Sequence, residues 1–277
     1  MIISDSHTDF LTAIKTKKQR KIYVEQIAKF KPTICTAVFT TGKNMTLRKL
    51  KNYKKEIENN NKIYHTHFLF TIEDLGFVKS VFDLMEVIKL KPFAVTLTWN
   101  NKNQFGGGAH STCGLTKFGK LAIKILEQNG ILVDCAHLNR KSFWQFTRLT
   151  TKPIFVSHSN LNCICSHKRN LTNKQIEFIA KSGGYVGLTL YQKFILENKI
   201  TPKDVAMQFN KIKTLVGTKN CGFGTDFFGI EKQYLPSNIS GYKDFHLIKS
   251  ELKFLRFSNK EVGQIFANNF KHFIKRI

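Results

Sequence analysis

Eight short apolar runs, separated by segments with helical apolar spacing, are the feature that most constrains how this 277-residue chain folds. Most of the runs are continuously apolar rather than alternating, which is typical of parallel strands buried on both faces. They predict strands at Ile2–His7, Thr33–Thr40, His67–Ile72, Phe93–Trp99, Ile131–Cys135, Ile154–Ser157, Tyr185–Leu190 and Cys221–Thr225.

The segments between the runs carry helix start and stop signals. Thr172-Asn173-Lys174-Gln175 has the form of a capping box, and Thr201-Pro202 places proline at a helix start. Gly130 and Gly183 stand where glycine typically ends a helix. The predicted helices cover residues 46–60, 77–90, 117–129, 141–149, 173–182 and 202–216, with two more between residues 241 and 277.

Eight strands alternating with helices predict an α/β fold, specifically a (β/α)8 TIM barrel. A doubly wound open sheet is the alternative, but Gly106-Gly107-Gly108 after the fourth strand lacks the GxGxxG form of a dinucleotide-binding turn. Because no segment is rich enough in Pro, Ser or Gly to be a linker, we expect residues 1–277 to form one domain.

The chain is strongly basic, with 44 Lys and Arg against 19 Asp and Glu and a formal net charge of +25. Such a charge is compatible with a nucleic-acid or anionic-membrane surface. However, 37 of the 44 basic residues are lysines spread along the chain, and the densest stretch, residues 49–55, fits an exposed helix face. We therefore interpret the charge as solvated surface and expect neither a nucleic-acid nor a membrane partner.

The chain shows no pattern of export or membrane insertion. The N-terminus lacks a basic start followed by an apolar run, and no stretch approaches the roughly 20 apolar residues that span a bilayer. The six cysteines, none in a CxxC pair, are Cys35, Cys113, Cys135, Cys163, Cys165 and Cys221. We expect free, mostly buried thiols in a reducing cytoplasm.

Acidic residues and histidines cluster at the ends of the predicted strands. They are Asp5, His7, Asp9, Glu73, Asp134, His137, His158 and Asp226. The C-terminal ends of barrel strands meet at one face, so residues far apart in sequence converge there. Burying so many ionisable groups is costly without a cation, and imidazole and carboxylate ligands fit a two-metal site. For Asp134 we favour a structural role as hydrogen-bond acceptor, and we expect no metal binding from the other six histidines.

Eight sequence blocks span nearly the whole chain. They are Asp5-Ser6-His7-Thr8-Asp9, the segment 97–103 (LTWNNKN), the segment 114–119 (GLTKFG), Val133-Asp134-Cys135-Ala136-His137, Ser157-His158-Ser159-Asn160, the segment 169–176 (RNLTNKQI), the segment 222–227 (GFGTDF) and Asn268-Asn269-Phe270. In this order, they resemble motifs of the membrane (renal) dipeptidase family of zinc peptidases. Together they are a specific signal, whereas each alone is weak.

The resemblance implies a cytoplasmic, bacterial-type dipeptidase that holds two Zn²⁺ ions and hydrolyses small dipeptides with a metal-activated hydroxide. Dipeptides with a D-residue at the C-terminal position are included. By the matching motifs, one zinc is bound by His7, Asp9 and Glu73, the second by Glu73, His137 and His158, a terminal carboxylate is bound by Arg169, and protons are handled by Asp226. If the chain oligomerises, we expect a homodimer.

Two positions depart from the family pattern. Trp99 stands where the mammalian enzymes carry a substrate-binding histidine, so a substrate oxygen would meet an indole N–H that cannot be cationic. Phe228 replaces the second acid of the family's DFDG segment, which we expect to alter the pocket rather than abolish the site.

Three other functions stay open at this stage. An amidohydrolase-type barrel metallohydrolase typically opens with HxH, whereas this chain has His7-Thr8-Asp9. A catalytically inactive binding relative would lack tightly held metal. A basic nucleic-acid binder would be retained on DNA in a salt-dependent way.

Overall fold

The computed structural model describes residues 1–42 and 45–277. Its eight strands form a closed parallel barrel in which each strand pairs with its neighbours in sequence and the eighth pairs with the first. The strands are β1 Ser4–Thr8, β2 Thr33–Phe39, β3 His67–Glu73, β4 Ala94–Thr96, β5 Leu132–Asp134, β6 Phe155–Ser159, β7 Tyr185–Leu188 and β8 Cys221–Phe223. The predicted (β/α)8 barrel is therefore confirmed, and the doubly wound alternative is excluded.

The helices surround the barrel and connect its strands. They are α1 Phe10–Ala13, α2 Lys17–Ala28, α3 Leu47–Tyr64, α4 Val81–Ile88, α5 Lys117–Gln128, α6 Arg140–Phe146, α7 Asn173–Lys181, α8 Gln192–Ile195, α9 Pro202–Val216, α10 Phe245–Phe254, α11 Asn259–Gly263 and α12 Asn269–Ile274. A π-helical turn, Gln264–Asn268, joins α11 to α12, so the end of the chain forms the two predicted helical segments.

Capping chemistry explains where several helices begin and end. The expected capping box is present at Thr172, and Pro202 is the first residue of its helix, as expected. Gly130 and Gly183 adopt the left-handed backbone region, with φ of 73° and 69°, in which only glycine is free of steric cost. Helix α4 begins four residues later than predicted because Ser80 caps it.

Helix α2 is the longest element that the sequence analysis did not delineate. Its spacing signal is weak because only Arg20, Val24 and Ile27 are buried along its 12 residues. Arg20 is an unusual inward-facing residue that forms a bidentate ion pair with Glu56 of α3. A charged residue therefore occupies a buried position of the helix, where an apolar residue would normally indicate the buried face.

The C-terminal helix closes the N-terminal end of the barrel. Phe270 and Phe273 of α12 pack against Phe155 and Tyr185, the first residues of β6 and β7, with ring centroids 5.0–6.1 Å apart. All four rings are buried. Aromatic packing thus fills one end of the barrel and leaves the opposite end to the polar residues.

The surface and thiol predictions are met in part. Residues 49–55 lie on α3, with Lys49, Lys51 and Lys55 exposed as expected. All six cysteines are free, but the expectation that they are mostly buried is wrong for Cys113, Cys163 and Cys165, which lie in surface loops. Among the described residues, no helix combines the length and apolar character that a bilayer crossing requires.

Candidate functional site

The predicted polar residues do converge at the C-terminal end of the barrel. His7 lies within β1, Glu73 is the last residue of β3, and His158 lies within β6. His137 and Asp226 each follow a strand by three residues and adopt positive φ angles of 70° and 62°. These turns aim the two side chains back across the strand ends.

Glu73 lies between two groups of side chains. Its Oε1 is 2.8 Å from His137 Nε2 and 3.6 Å from His158 Nε2. Its Oε2 is 3.7 Å from His7 Nε2, which in turn lies 3.3 Å from Asp9 Oδ2 and 3.9 Å from Asp226 Oδ1. One carboxylate therefore faces two histidines with one oxygen and a third histidine with the other.

Two neighbouring side chains fix the orientation of the histidine rings. Asn100 Oδ1 accepts a hydrogen bond from His137 Nδ1 at 2.9 Å, and Ser157 Oγ lies 2.9 Å from His158 Nδ1. Both rings consequently present Nε2 to Glu73. Such partners orient metal-binding imidazoles in proteins. The sequence analysis did not assign this role to either residue, although both lie inside recognised blocks.

The ends of β1 and β8 are joined directly beneath the site. The N–H of Asp226 donates to the carbonyl of His7 at 3.1 Å, and the N–H of Asp9 donates to the carbonyl of Phe227 at 2.9 Å. Asp5 is fully buried and accepts hydrogen bonds from the N–H of Thr225 and the hydroxyl of Tyr242. Asp5 thus supports the backbone that carries the site residues.

Asp134 has the structural role favoured from the sequence. Its Oδ1 accepts hydrogen bonds from the N–H groups of Ala136 at 3.0 Å and Ser157 at 2.9 Å. This bridges the ends of β5 and β6, just below His137 and His158.

Burial and mutual charge shift the pKa values of the site residues in opposite directions. Burial lowers the pKa of His7, but attraction to Asp9 and Glu73 outweighs it and raises the pKa to about 10. Burial, reinforced by the positive charges of Arg169 and His7, holds the pKa values of His137 and His158 well below the usual range, so both are neutral at pH 7. Neutral imidazole is the form that binds a metal ion.

Burial also raises the pKa values of two carboxyl groups that line the cavity, Glu73 and Asp226. Burial raises the pKa of Glu73 well above its usual range, despite the opposing effect of His7. Burial likewise raises the pKa of Asp226 to about 7. A nearby cation stabilises the ionised form of a carboxyl group, so cation binding here would restore both carboxylates.

The residues present form groups that could hold a metal ion. Among the described residues, two trios place their ligand atoms within 4.8 Å of one another: His7 with Glu73 and His158, and His7 with Asp9 and Asp226. In the same part of the chain, His7 Nε2 and Asp9 Oδ1 are buried without a hydrogen-bond partner. Buried polar atoms are normally satisfied, so these two atoms are suited to bind a cation.

Arg169 and Trp99 belong to the same cavity. The cavity has a volume of about 470 Å³ and is lined by Asp9, Glu73, His137, His158, Arg169 and Asp226, with Phe39, Trp99, Tyr191, Phe194, Phe228 and Tyr234 among its walls. Arg169 is buried and donates through Nη2 to the carbonyl of His158 at 3.2 Å, while its Nε has no partner among the described residues. Burial lowers the pKa of Arg169 to about 10, which still leaves it charged at pH 7.

Every residue predicted for the site therefore lies in or beside one cavity. Trp99 packs its ring 5.4 Å from Phe39 and 5.9 Å from His137, between the metal-ligand candidates and the cavity wall. None of the six other histidines belongs to either trio of ligand atoms found in the described part of the chain.

Comparison of the amino-acid sequence with those of known proteins identifies relatives of this chain. Residues 10–277 match the membrane dipeptidase family, peptidase family M19. A Klebsiella pneumoniae protein described as an uncharacterized protein in the pqqA 5′ region is 30% identical over 145 residues, which is 48% of this chain and 54% of that protein. The uncharacterized dipeptidase C965.12 of Schizosaccharomyces pombe is 30% identical over 159 residues, which is 54% of this chain and 37% of that protein. The aligned regions thus span about half of one relative and little more than a third of the other.

Solved structures share the fold at low sequence identity. An amidohydrolase from Pseudomonas aeruginosa matches with a TM-score of 0.83 and 19% identity, covering 99% of this chain and 95% of its own. A metallo peptidase from Rhodobacter sphaeroides, solved with a phosphinate mimic of the dipeptide L-Ala-D-Ala, matches with a TM-score of 0.83 and 16% identity over 100% of this chain and 99% of its own. Because the family match extends over all but the first nine residues, this chain belongs to the membrane dipeptidase family, peptidase family M19.

Proposed function

We propose that the protein is a zinc-dependent dipeptidase that hydrolyses the peptide bond of small dipeptides. The observation that carries this proposal is the position of Glu73, whose two oxygens face His7 on one side and His137 with His158 on the other. Family membership supports it, as do the solved metallo peptidase and the curated relative described as a dipeptidase.

In this proposal His7, Asp9 and Glu73 hold one Zn²⁺, and Glu73, His137 and His158 hold the second. Nitrogen and carboxylate donors of this kind are typical of zinc sites with open positions for water or substrate. Bound there, two such cations would supply polarisation of a scissile carbonyl and a water nucleophile near neutral pH. Asn100 and Ser157 keep the Nε2 atoms of their histidines directed at the site.

Arg169 is the proposed recognition group for the terminal carboxylate of the substrate. It is buried, it lines the cavity, and with a pKa lowered only to about 10 it remains charged at pH 7. A guanidinium binds a carboxylate through two parallel N–H donors, which fixes the direction of the peptide in the cavity. A longer peptide would have to extend beyond Arg169.

Asp226 is the proposed proton carrier. It lines the cavity beside His7, and its side chain is 17% exposed, which leaves it reachable by water and substrate. A carboxyl group with a pKa near the working pH can accept a proton from the attacking water and pass it to the leaving amine. Trp99, which also lines the cavity, offers an indole N–H to the developing oxyanion.

Three finer points belong to the same proposal. The substrates include dipeptides with a D-residue at the C-terminal position, in line with the L-Ala-D-Ala mimic bound by the Rhodobacter protein. The enzyme works in a reducing cytoplasm, in line with six free cysteines. Residues 1–277 act as one domain, because strands and helices from β1 to α12 contribute to one barrel.

The experiment is a dipeptide panel with the zinc-loaded protein, in which ninhydrin or mass spectrometry detects the released amino acids. We expect turnover of unblocked dipeptides, little or none of tripeptides, and loss of turnover in the Asp226→Asn variant with its metal retained. Absence of hydrolysis of every dipeptide at full metal loading would contradict the proposal. Hydrolysis of cyclic amides that survives Arg169→Met would instead support an amidohydrolase-type reaction.

A further inference from the structure

A second cleft lies at the opposite end of the barrel from the proposed zinc site. It has a volume of about 310 Å³ and is formed where β2 and β3 begin and where α12 crosses them. Five basic side chains line it, namely Lys31, His65, His67, Lys271 and Lys275, together with Pro32, Thr33 and Ile274. No acidic residue lines the cleft in the described part of the chain.

The positive charges of this cleft are not neutralised by the protein. Within residues 1–42 and 45–277, no ion pair involves any of the five basic residues. Lys271 and Lys275 are one helical turn apart, a spacing at which like charges repel. Burial and the charge of Lys271 lower the pKa of His67, and burial and the charge of Lys275 lower the pKa of Lys271. The charges of Lys271 and Lys275 therefore create a local field in the cleft that favours an anion.

The backbone that carries these side chains is well fixed. Lys31 and His65 follow the ends of α2 and α3 in left-handed conformations, with φ of 46° and 50°. Pro32 restricts the segment after Lys31. Lys271 lies between Phe270 and Phe273, which α12 buries in the end of the barrel. Basic side chains from three separate segments thus line one concave space.

We propose that this cleft binds a small phosphorylated ligand. Several ammonium and imidazole donors converging from three directions match the several charged oxygens of a phosphate group better than the two oxygens of one carboxylate. The concave shape and limited volume favour a small ligand over a nucleic acid, whose backbone needs a continuous basic surface.

The test uses inorganic pyrophosphate as the probe and isothermal titration calorimetry at about 0.15 M ionic strength, where diffuse surface attraction is screened. Binding is measured for the native protein, for Lys271→Gln/Lys275→Gln, and for His67→Gln. The matched control is Lys120→Gln/Lys124→Gln, which removes two exposed lysines with the same spacing on α5. Glu73→Gln repeats the titration with the proposed zinc site altered, and circular dichroism verifies that each variant is folded.

We expect one saturable site per chain. Its affinity should fall at least about tenfold in both cleft variants and stay within about twofold in the α5 control and in Glu73→Gln. Equal losses of pyrophosphate affinity in the cleft and α5 variants would overturn the proposal in favour of diffuse surface charge. An oligonucleotide whose affinity also falls equally in the cleft and α5 variants would overturn it in the same way. Binding that survives both cleft variants, or none in the native protein, would also overturn it.

Discussion

His137 and His158 bring their Nε2 atoms to 2.9 Å from each other, with Glu73 Oε1 at 2.8 Å from the first of them. The ring of His137 is oriented by Asn100, which accepts from Nδ1, and both rings are held neutral by their surroundings. Two neutral rings with Nδ1 protonated would direct lone pairs at one another. His137, His158 and Glu73 would be relieved of this repulsion if they held a metal ion, which neutral imidazoles and a carboxylate are suited to bind.

Metal loading should therefore stabilise the protein strongly. Free Zn²⁺ at about a thousandfold excess over its dissociation constant adds about 4 kcal/mol to the free energy of unfolding. For a chain of this size that is a rise of about 8–16 °C in Tm relative to the chelator-treated protein, measured by scanning calorimetry.

Glu73→Gln should remove most of that rise and reduce the zinc content measured by elemental analysis. Asp74→Asn is the matched control, because Asp74 is the adjacent buried acid but bonds to Thr41 and Asn103, outside the site. Asparagine also tolerates the positive φ of 73° at this position. Equal loss of zinc in both variants would argue against a specific role for Glu73.

Asp226 should set the acidic limb of the pH profile. As a base it must be ionised, and burial raises its pKa to about 7, so kcat/KM should rise with pH as the carboxyl loses its proton. Bound cations favour the ionised form, which places this limb at or below about pH 7. Asp226→Asn should lower kcat by about 10²–10⁴-fold with zinc content retained. If Asp226→Asn kept the acidic limb of the native pH profile, that titration would belong to another group.

Arg169 should act on binding of the substrate carboxylate. Arg169→Met removes a charge-assisted hydrogen-bonding group worth about 1.5–3 kcal/mol, so kcat/KM should fall about 10–150-fold, chiefly through KM. With the native enzyme, amidation of the dipeptide's C-terminus should lower kcat/KM by the same factor. With Arg169→Met, the same amidation should lower kcat/KM no further. Lys168→Met is the control, since it removes an adjacent but exposed charge. Additive losses would show that Arg169 and the carboxylate do not interact.

Trp99 should affect the chemical step rather than metal binding. Trp99→Phe keeps an aromatic ring against Phe39 but removes the indole N–H, so kcat should fall about 10²–10³-fold if that group donates to the oxyanion. Trp99→His restores a donor and should recover part of kcat. Steady-state kinetics on one good dipeptide measures both changes. Unchanged kcat in Trp99→Phe would limit Trp99 to shaping the cavity.

The sequence predicts the barrel and the convergence of the site because both follow from local patterns. Continuous apolar runs specify buried parallel strands, and His7, Glu73 and His158 lie at strand ends that barrel closure brings together. It does not predict helix α2, because Arg20 occupies an inward position that an apolar residue normally marks. Its inference that cysteines are mostly buried fails where Cys113 and Cys163 lie in loops without periodicity.

The hydrogen bonds that support the site join residues far apart in the sequence, so sequence spacing does not reveal them. Asn100 and His137 are 37 positions apart, and Asp5 and Tyr242 are 237 positions apart. Such pairs are specified only when the closed barrel sets the geometry of its strand ends. The sequence therefore indicates which residues gather at the site, whereas the structure shows which of them orient the others.

The bond between Tyr242 and Asp5 should be the most costly of the tyrosine hydroxyl contacts to remove. The Tyr242 hydroxyl donates to Asp5 Oδ2 at 2.7 Å, and both residues are buried. Tyr242→Phe leaves the Asp5 carboxyl short of a donor, so we expect the free energy of unfolding to fall by about 1.5–3 kcal/mol in urea denaturation. Tyr64→Phe is the matched control, because the Tyr64 hydroxyl donates to Glu25 at 2.8 Å on the surface, where water replaces the lost bond. The control should cost no more than about 0.5 kcal/mol, and equal costs for the two variants would show that burial of the Asp5 contact adds nothing to its strength.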